Sequence, residues 1–164
     1  MTAAFVGCGT TIDDPAVDDA NSPISSDDTI PTGRRVVIER VVDGDTIVVD
    51  RGERVRLIGI DTPESVKPGT PVECFAKEAS RYLESLVPVG TRVVLVADVE
   101  PIDQYDRTLA YVYRVDDGLF VNEALVADGY ANVATFPPNV VHVDDFLVAE
   151  RSARAAGRGL WSAC

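Results

Sequence analysis

Residues 41–64, VVDGDTIVVDRGERVRLIGIDTPE, constrain this chain more than any other stretch. Two apolar runs, TIVVD and RVRLIGI, are joined by Arg51-Gly52-Glu53, and β-branched runs around a glycine-containing turn read as a hairpin. Charges fall where a hairpin exposes them. Asp43 and Asp45 lie in the turn before the first run, Arg56 interrupts the second, and Asp61 and Glu64 follow it. Strand side chains alternate faces, so Arg54, Arg56 and Ile58 share one face and Val55 and Leu57 the other. Asp45, Arg56, Asp61 and Glu64 then converge at one end of a small sheet. An arginine inside an apolar strand is costly to bury alone, so Arg56 should face a polar site or an anion.

The rest of the chain supplies more short strands and a few helices. VVIERVV precedes the hairpin, TRVVLVAD covers 91–98, and TLAYVYR covers 108–114. Thr70-Pro71-Val72-Glu73 matches a capping box with proline at the first helical position, and Phe75, Ala79, Tyr82, Leu83 and Leu86 form a helical stripe ended by Pro88. Residues 121–128 read as a short helix stopped by Gly129. Residues 144–156 read as another, with Phe146, Leu147, Ala149 and Ala153 inward and Gly157 at its end. Leu160 and Trp161 should dock the C-terminus. The class is α+β: five short strands suit a small Greek-key barrel, with an open sheet covered on one face as the competitor.

With 164 residues the chain is long enough for one domain with a real core. Its net charge is −12, but residues 1–33 hold six aspartates and no lysine or arginine. A protein this acidic attracts nucleic acid poorly through its general field, so a bound polyanion needs a local arginine site or a metal. Residues 9–33 are rich in Asp, Ser, Thr and Pro and read as a solvated linker. Phe5-Val6-Gly7-Cys8 is similar to the end of a bacterial lipoprotein signal, which would place a lipid on Cys8; the alternative is an incidental cysteine in an N-terminal tail. The expected organisation is 1–8, a signal remnant; 9–33, a linker; and 34–164, the folded domain. No apolar run is long enough to span a membrane. His142 is the only histidine, which argues against zinc proteases, histidine-based nucleases and Ser-His-Asp hydrolases, and its position suits a structural or solvated role. Cys74 and Cys164 read either as a staple made in an oxidising compartment or as two free thiols.

Asp45 and Asp61 resemble ligands of a hard cation, because carboxylates without histidine or thiolate favour Ca²⁺ or Mg²⁺. With Arg56, Arg107 and the spare carboxylate of Glu64 they form a set suited to phosphoryl transfer. Surface salt bridges are the plainer explanation of any one of them.

DGDT (43–46), RVRLIGIDTPE (54–64), YDRTLAYVY (105–113), VNEALVADGYA (121–131) and GLW (159–161) occur in order and at compatible spacing. Together they resemble the staphylococcal nuclease family over residues 35–161. The resemblance implies an OB-fold barrel of five strands with three α-helices. It also implies Ca²⁺-dependent hydrolysis of DNA and RNA to products ending in 3′-phosphate. By position, Asp45, Asp61 and the carbonyl of Thr62 would bind the metal, with Asp43 behind them. Glu64 would orient or deprotonate water, and Arg56 and Arg107 would hold phosphate. Tyr105 and Phe136 would touch substrate. Two departures stand out. Asp106 replaces a common glycine and could pair with Arg107. Phe136 stands where tyrosine is frequent, so it can stack but cannot donate a hydrogen bond. The expected protein is a monomeric bacterial nuclease, secreted or held at the cell surface. The alternatives are a non-catalytic OB module binding nucleic acid or peptide, and a calcium-stabilised surface protein that needs the aspartates but neither arginine.

Overall fold

The computed structural model describes Met1, residues 30–64, Gly69 and residues 71–164. The expected lipidation of Cys8 and most of the expected linker lie outside the described residues. Ile30 already packs against the core. In chain order the elements are β1 Arg34–Val41, β2 Thr46–Val49, β3 Glu53–Leu57, β4 Ile60–Asp61, α1 Ala76–Leu86, β5 Arg92–Val96, β6 Thr108–Arg114, α2 Val121–Ala127, β7 Asn132–Val133, α3 Val143–Ala155 and the short α4 Leu160–Ala163.

Five strands close into a barrel in the order β1-β2-β3-β6-β5, with β5 returning to β1, so the open sheet is excluded. Four pairings are antiparallel, and the β3–β6 seam is parallel. The core follows from the period of two: Ile47, Val49, Val55, Leu57, Val93 and Val112 are buried, and Leu125 of α2 and Phe146 of α3 pack with them. The architecture is a small OB-type barrel with three helices, α+β as expected. Among the described residues no helix is long and apolar enough to cross a membrane.

Four local expectations change. The hairpin turn is Asp50–Gly52, so Glu53 already pairs with Val49 as the first residue of β3. The run RVRLIGI is broken after Leu57. Gly59 has φ +80°, and a Cβ there would lie 2.4 Å from the Phe146 ring, so the chain turns under α3 and Ile58 is buried instead of sharing the face of Arg54 and Arg56. Ile60–Asp61 then pairs separately with β7. Of the capping-box motif, Thr70 lies outside the described residues and 71–73 are not helical; α1 begins at Ala76, after Phe75 at φ +70°. Glu73 is drawn away from capping by Glu64, with which it exchanges two hydrogen bonds: the Glu64 amide donates to Glu73 Oε2 at 2.9 Å, and the Glu73 amide to the Glu64 carbonyl at 3.0 Å. Leu147, expected inward, is 36% exposed; α3 buries Phe146, Ala149 and Ala153 on a narrower stripe.

Cys74 and Cys164 form a disulfide with Cα atoms 6.0 Å apart, joining the entrance of α1 to the last residue. Trp161 lies under Arg154, with the guanidinium carbon 4.0 Å from the ring centroid, so the C-terminus docks on α3. His142 is structural: its ring lies edge-on to Tyr111 at 4.6 Å, and its Nε2 is 3.3 Å from the Tyr113 hydroxyl.

Candidate active site

The end of the β2–β3 hairpin, the β4 turn and the loop before β6 meet at one cleft of about 220 Å³. It is lined by Asp43, Asp45, Thr46, Arg56, Asp61, Thr62, Pro63, Glu64 and Arg107. Every catalytic and metal-binding candidate of the sequence is therefore in one place.

The DGDT turn sets the first carboxylates. The Val42 amide donates to the Thr46 carbonyl at 2.8 Å, and the Asp45 amide to Asp43 Oδ1 at 3.1 Å. Gly44 is needed here, because a Cβ would lie 2.6 Å from Thr62 Oγ1. The close approach lets Thr62 reach Asp45: its amide and hydroxyl donate to Asp45 Oδ2 at 3.0 and 3.1 Å. Asp45 is thereby held almost fully buried, with Thr46 Oγ1 donating to its other oxygen at 3.2 Å.

Arg56 faces this carboxylate from β3. Its Nη1 donates to the carbonyls of Leu57 and Ile60, both at 2.9 Å, so the break after β3 doubles as an arginine anchor. Its Nη2 lies 3.0 Å from Asp45 Oδ2 and 2.8 Å from Asp61 Oδ1. Both terminal nitrogens are engaged, and Nε has no hydrogen-bond partner among the described residues.

Arg107 is held by a residue that sequence reasoning missed. Asp103 accepts from Arg107 Nε at 2.7 Å, from the Arg107 amide at 3.0 Å and from the Tyr105 amide at 2.8 Å, and Nη2 lies 2.7 Å from the same carboxylate. Asp106, which could have paired with Arg107, has no ion pair with it; it sits at φ +58°, a conformation that favours glycine. An aspartate four residues before an arginine in a tight loop was the available signal. A second missed residue is Asn122, fully buried on α2. It accepts from the Val112 amide at 2.9 Å and donates to the Ile58 carbonyl at 2.9 Å, fixing the strand end that carries the site.

The electrostatics are lopsided. Burial, then the charge of Asp45, raises the Asp43 carboxyl from 3.8 to about 6. Burial also raises Asp61; Arg56 pulls it back, and Asp45, Glu73 and Glu64 add repulsion. Asp103 goes the other way. Burial would raise it, but the hydrogen bonds from Arg107 and Tyr105 hold it below the usual range. One arginine does not neutralise the acidic side of the cleft. Among the described residues no group of three or more His, Cys, Asp or Glu is arranged as a metal cluster. The available donors are two carboxylates that converge on a single guanidinium nitrogen, an all-oxygen set with excess negative charge, which fits a hard cation.

Beside it lies a larger cleft of about 410 Å³ that shares Arg56 and Arg107 and is flanked by Tyr105 and Phe136. Both aromatics are about two-thirds exposed, Tyr105 at 68% and Phe136 at 70%, and Arg107 stacks 5.4 Å from the Tyr105 ring.

A barrel-borne cleft pairing hard-cation carboxylates with two arginines defines a class of phosphodiester-cleaving sites. Comparison with known proteins narrows the class. A family model described as staphylococcal nuclease homologue matches residues 54–163. A thermonuclease of Staphylococcus intermedius is 39% identical over 144 residues, covering 86% of this chain and 84% of the relative. A thermonuclease of Staphylococcus hyicus is 38% identical over 126 residues, covering 75% and 73%. Endonuclease YncB of Bacillus subtilis (strain 168) is 37% identical over 131 residues, 77% of this chain but 61% of the relative. The chain belongs to the staphylococcal nuclease family.

Proposed function

We propose that this chain is a Ca²⁺-dependent nuclease that hydrolyses DNA and RNA to products ending in 3′-phosphate. It is a phosphodiesterase by family; the metal, the products and the setting are the finer part of the reading. The observation that carries it is the convergence of Asp45 and Asp61 on Arg56 Nη2, with Glu64 and Arg107 in the same cleft.

Asp45, Asp61 and the Thr62 carbonyl are the residues that would hold the ion. When bound, Ca²⁺ supplies a Lewis acid at a phosphate oxygen and favours ionisation of water. Glu64 takes the proton of the attacking water, from a backbone position fixed by Glu73. Arg107 presents Nη1, which is not used by Asp103, to the phosphate. Arg56 offers Nε; its Nη2, which holds Asp45 and Asp61, would become available to phosphate if those carboxylates held the ion. Two guanidinium groups there stabilise the charge that builds on the equatorial oxygens. A guanidinium is a poor acid for the leaving 5′-oxygen, and water is as able a proton donor as Arg107. Tyr105 and Phe136 stack on a neighbouring base by their faces.

The setting is extracytoplasmic: a disulfide between the helix entrance and the C-terminus suits an oxidising compartment. The reading of a monomer in three parts, with Cys8 lipidated, residues 9–33 a tether and 34–164 the catalytic domain, agrees with that setting. The test is digestion of end-labelled DNA and RNA with Ca²⁺ or EDTA, with analysis of the ends. Cleavage to 3′-phosphates with Ca²⁺, none in EDTA, and an unchanged circular dichroism spectrum are expected. Full activity in EDTA sinks the calcium assignment.

A further inference from the structure

The protein is strongly acidic, and among the described residues at least seven of the thirteen arginines are paired with a carboxylate. Arg40 and Arg54 are exceptions: both are exposed and neither has an ion-pair partner among the described residues. In sequence they are far apart. The barrel register brings them together. Arg40 on β1 lies across from Val48 on β2, and Val48 lies across from Arg54 on β3. Directly paired residues point to the same face. Val48 is on the outer face, since Ile47 and Val49 fill the interior, yet it is only 2% exposed.

The row does not stop at Arg54. The parallel β3–β6 seam pairs Val55 with Thr108. One residue earlier the two chains carry Arg54 and Arg107, the second of which lines the cleft. Reading outward from the cleft, the positions are Arg107, Arg54, Val48 and Arg40, at about 5 Å per strand. Arg56 sits two residues from Arg54 on the same face, about 7 Å along β3. The acids that border the row are engaged elsewhere. Glu39 accepts from the Arg51 and Gly52 amides, and Glu53 from Arg34 and Thr108.

We propose that Arg54 and Arg40 form a phosphate track leading out of the cleft, which binds the backbone of a single-stranded polynucleotide next to the bond being cut. The two arginines flank Val48 in register and both are exposed. Guanidinium forks match phosphate oxygens and carry no base information. The track thus gives affinity for long strands to a protein whose overall field repels them, and it acts on DNA and RNA alike. It rests on the nuclease reading above for the direction of the chain through the cleft.

The test uses the full chain, wild type and the double variant Arg40→Gln/Arg54→Gln. Binding of a labelled single-stranded oligonucleotide is followed by anisotropy over a salt series in EDTA, and kcat/KM is measured with Ca²⁺ on the same strand and on a dinucleotide. Each removed contact should lower the log–log salt slope by about 0.7, so the double variant should lose about 1.4. Its kcat/KM on the oligonucleotide should fall about fivefold or more at low salt, with dinucleotide turnover unchanged. Arg40→Lys/Arg54→Lys should restore the slope, and Arg151→Gln on α3 should leave it unaltered. An unchanged slope in a double variant that melts like wild type overturns the track and leaves the nuclease reading intact. So does an equal loss in Arg151→Gln, which makes the effect one of net charge, or a loss seen with RNA alone. If wild type cleaves neither substrate, the nuclease reading fails while the binding slopes still decide the track.

Discussion

The two arginines that line the cleft are held in opposite ways. Arg56 is built into the barrel. Two carbonyls of the β3–β4 turn hold one end of its guanidinium, and the carboxylates of Asp45 and Asp61 hold the other. Arg107 belongs to a loop and is gripped by a single carboxylate, Asp103, that has no part in the cation set. The availability of Arg56 for phosphate therefore depends on what else Asp45 and Asp61 hold. That of Arg107 does not. The surrounding charges repeat the contrast: Asp43 and Asp61 are pushed up by burial and crowding, and Asp103 is held down by its donors. On one side of the cleft burial and neighbouring carboxylates raise the acids. On the other a single carboxylate is satisfied by its own donors.

The largest effect expected lies on the acidic side. Glu64→Gln keeps the shape and removes the base, so kcat should fall by about 10²–10⁴ while affinity for a non-hydrolysable oligonucleotide with Ca²⁺ changes little. Single-turnover cleavage and titration of the same variant measure both. Near-normal turnover removes Glu64 from the mechanism. A collapse of affinity alone makes it an organiser of the metal or phosphate site.

The disulfide bears on the same side. Cys74 follows Glu73, and Glu73 clasps the Glu64 main chain through its carboxylate and its amide. Cys74→Ser releases a loop of sequence separation 90 and should cost on the order of 2–4 kcal/mol in urea unfolding. It should also loosen Glu64 more than Arg107. Amide exchange should quicken at Glu64 and Glu73 and stay slow at Tyr105 and Arg107. Equal quickening in both places would mean that the staple stabilises only the whole.

How legible this was in the sequence follows the same division. The strands were legible because their apolar residues alternate, and the placing of Arg56 beside the Asp45 turn follows from that period and the hairpin, whereas Asp61 reaches them only through the turn at Gly59. What escaped depends on contacts distant in sequence. The break at Gly59 is imposed by Phe146 on α3. The capping motif failed because Glu73 found a better partner in Glu64. The hold of Asp103 on Arg107 needs a loop whose residue 106 is left-handed, and no periodicity signals that. The row of Arg40, Val48 and Arg54 depends on a register shift between Ile38 and Arg40, which alternation alone does not predict.

The difference in anchoring predicts different answers to the same substitution. Arg56→Lys loses the fork that spans two carbonyls, the buried Asp45 and the exposed Asp61. Stability should fall by about 1–3 kcal/mol as well as activity. Arg107→Lys should lower turnover with a stability change within about 1 kcal/mol, because its loop is solvated and Asp103 keeps its amide donors. Urea unfolding beside single-turnover rates separates the two. Equal stability losses would erase the distinction.

The smallest effect is the most diagnostic, because the two sides titrate with opposite sign. Asp43 has a folded pKa of about 6 against an ordinary 3.8. Between those values the folded chain binds more protons than the unfolded one, so stability falls as pH rises through that window. Asp103 is held below 3.8, so its contribution is present above that value and is lost as pH falls beneath it. In chelator, Asp43→Asn should raise stability at neutral pH by on the order of 1–2 kcal/mol, less than the full shift because the side chain is partly solvated. It should also flatten the pH dependence from about 4 to 6. Asp103→Asn should instead lower stability at neutral pH and flatten only the acid limb. Adding Ca²⁺ should shrink the Asp43→Asn gain, since a cation at Asp45 and Asp61 relieves the crowding that raises Asp43, and should leave the Asp103→Asn loss as it was. A Ca²⁺ response of the same size in both variants would place the cation elsewhere than on the acidic side of the cleft.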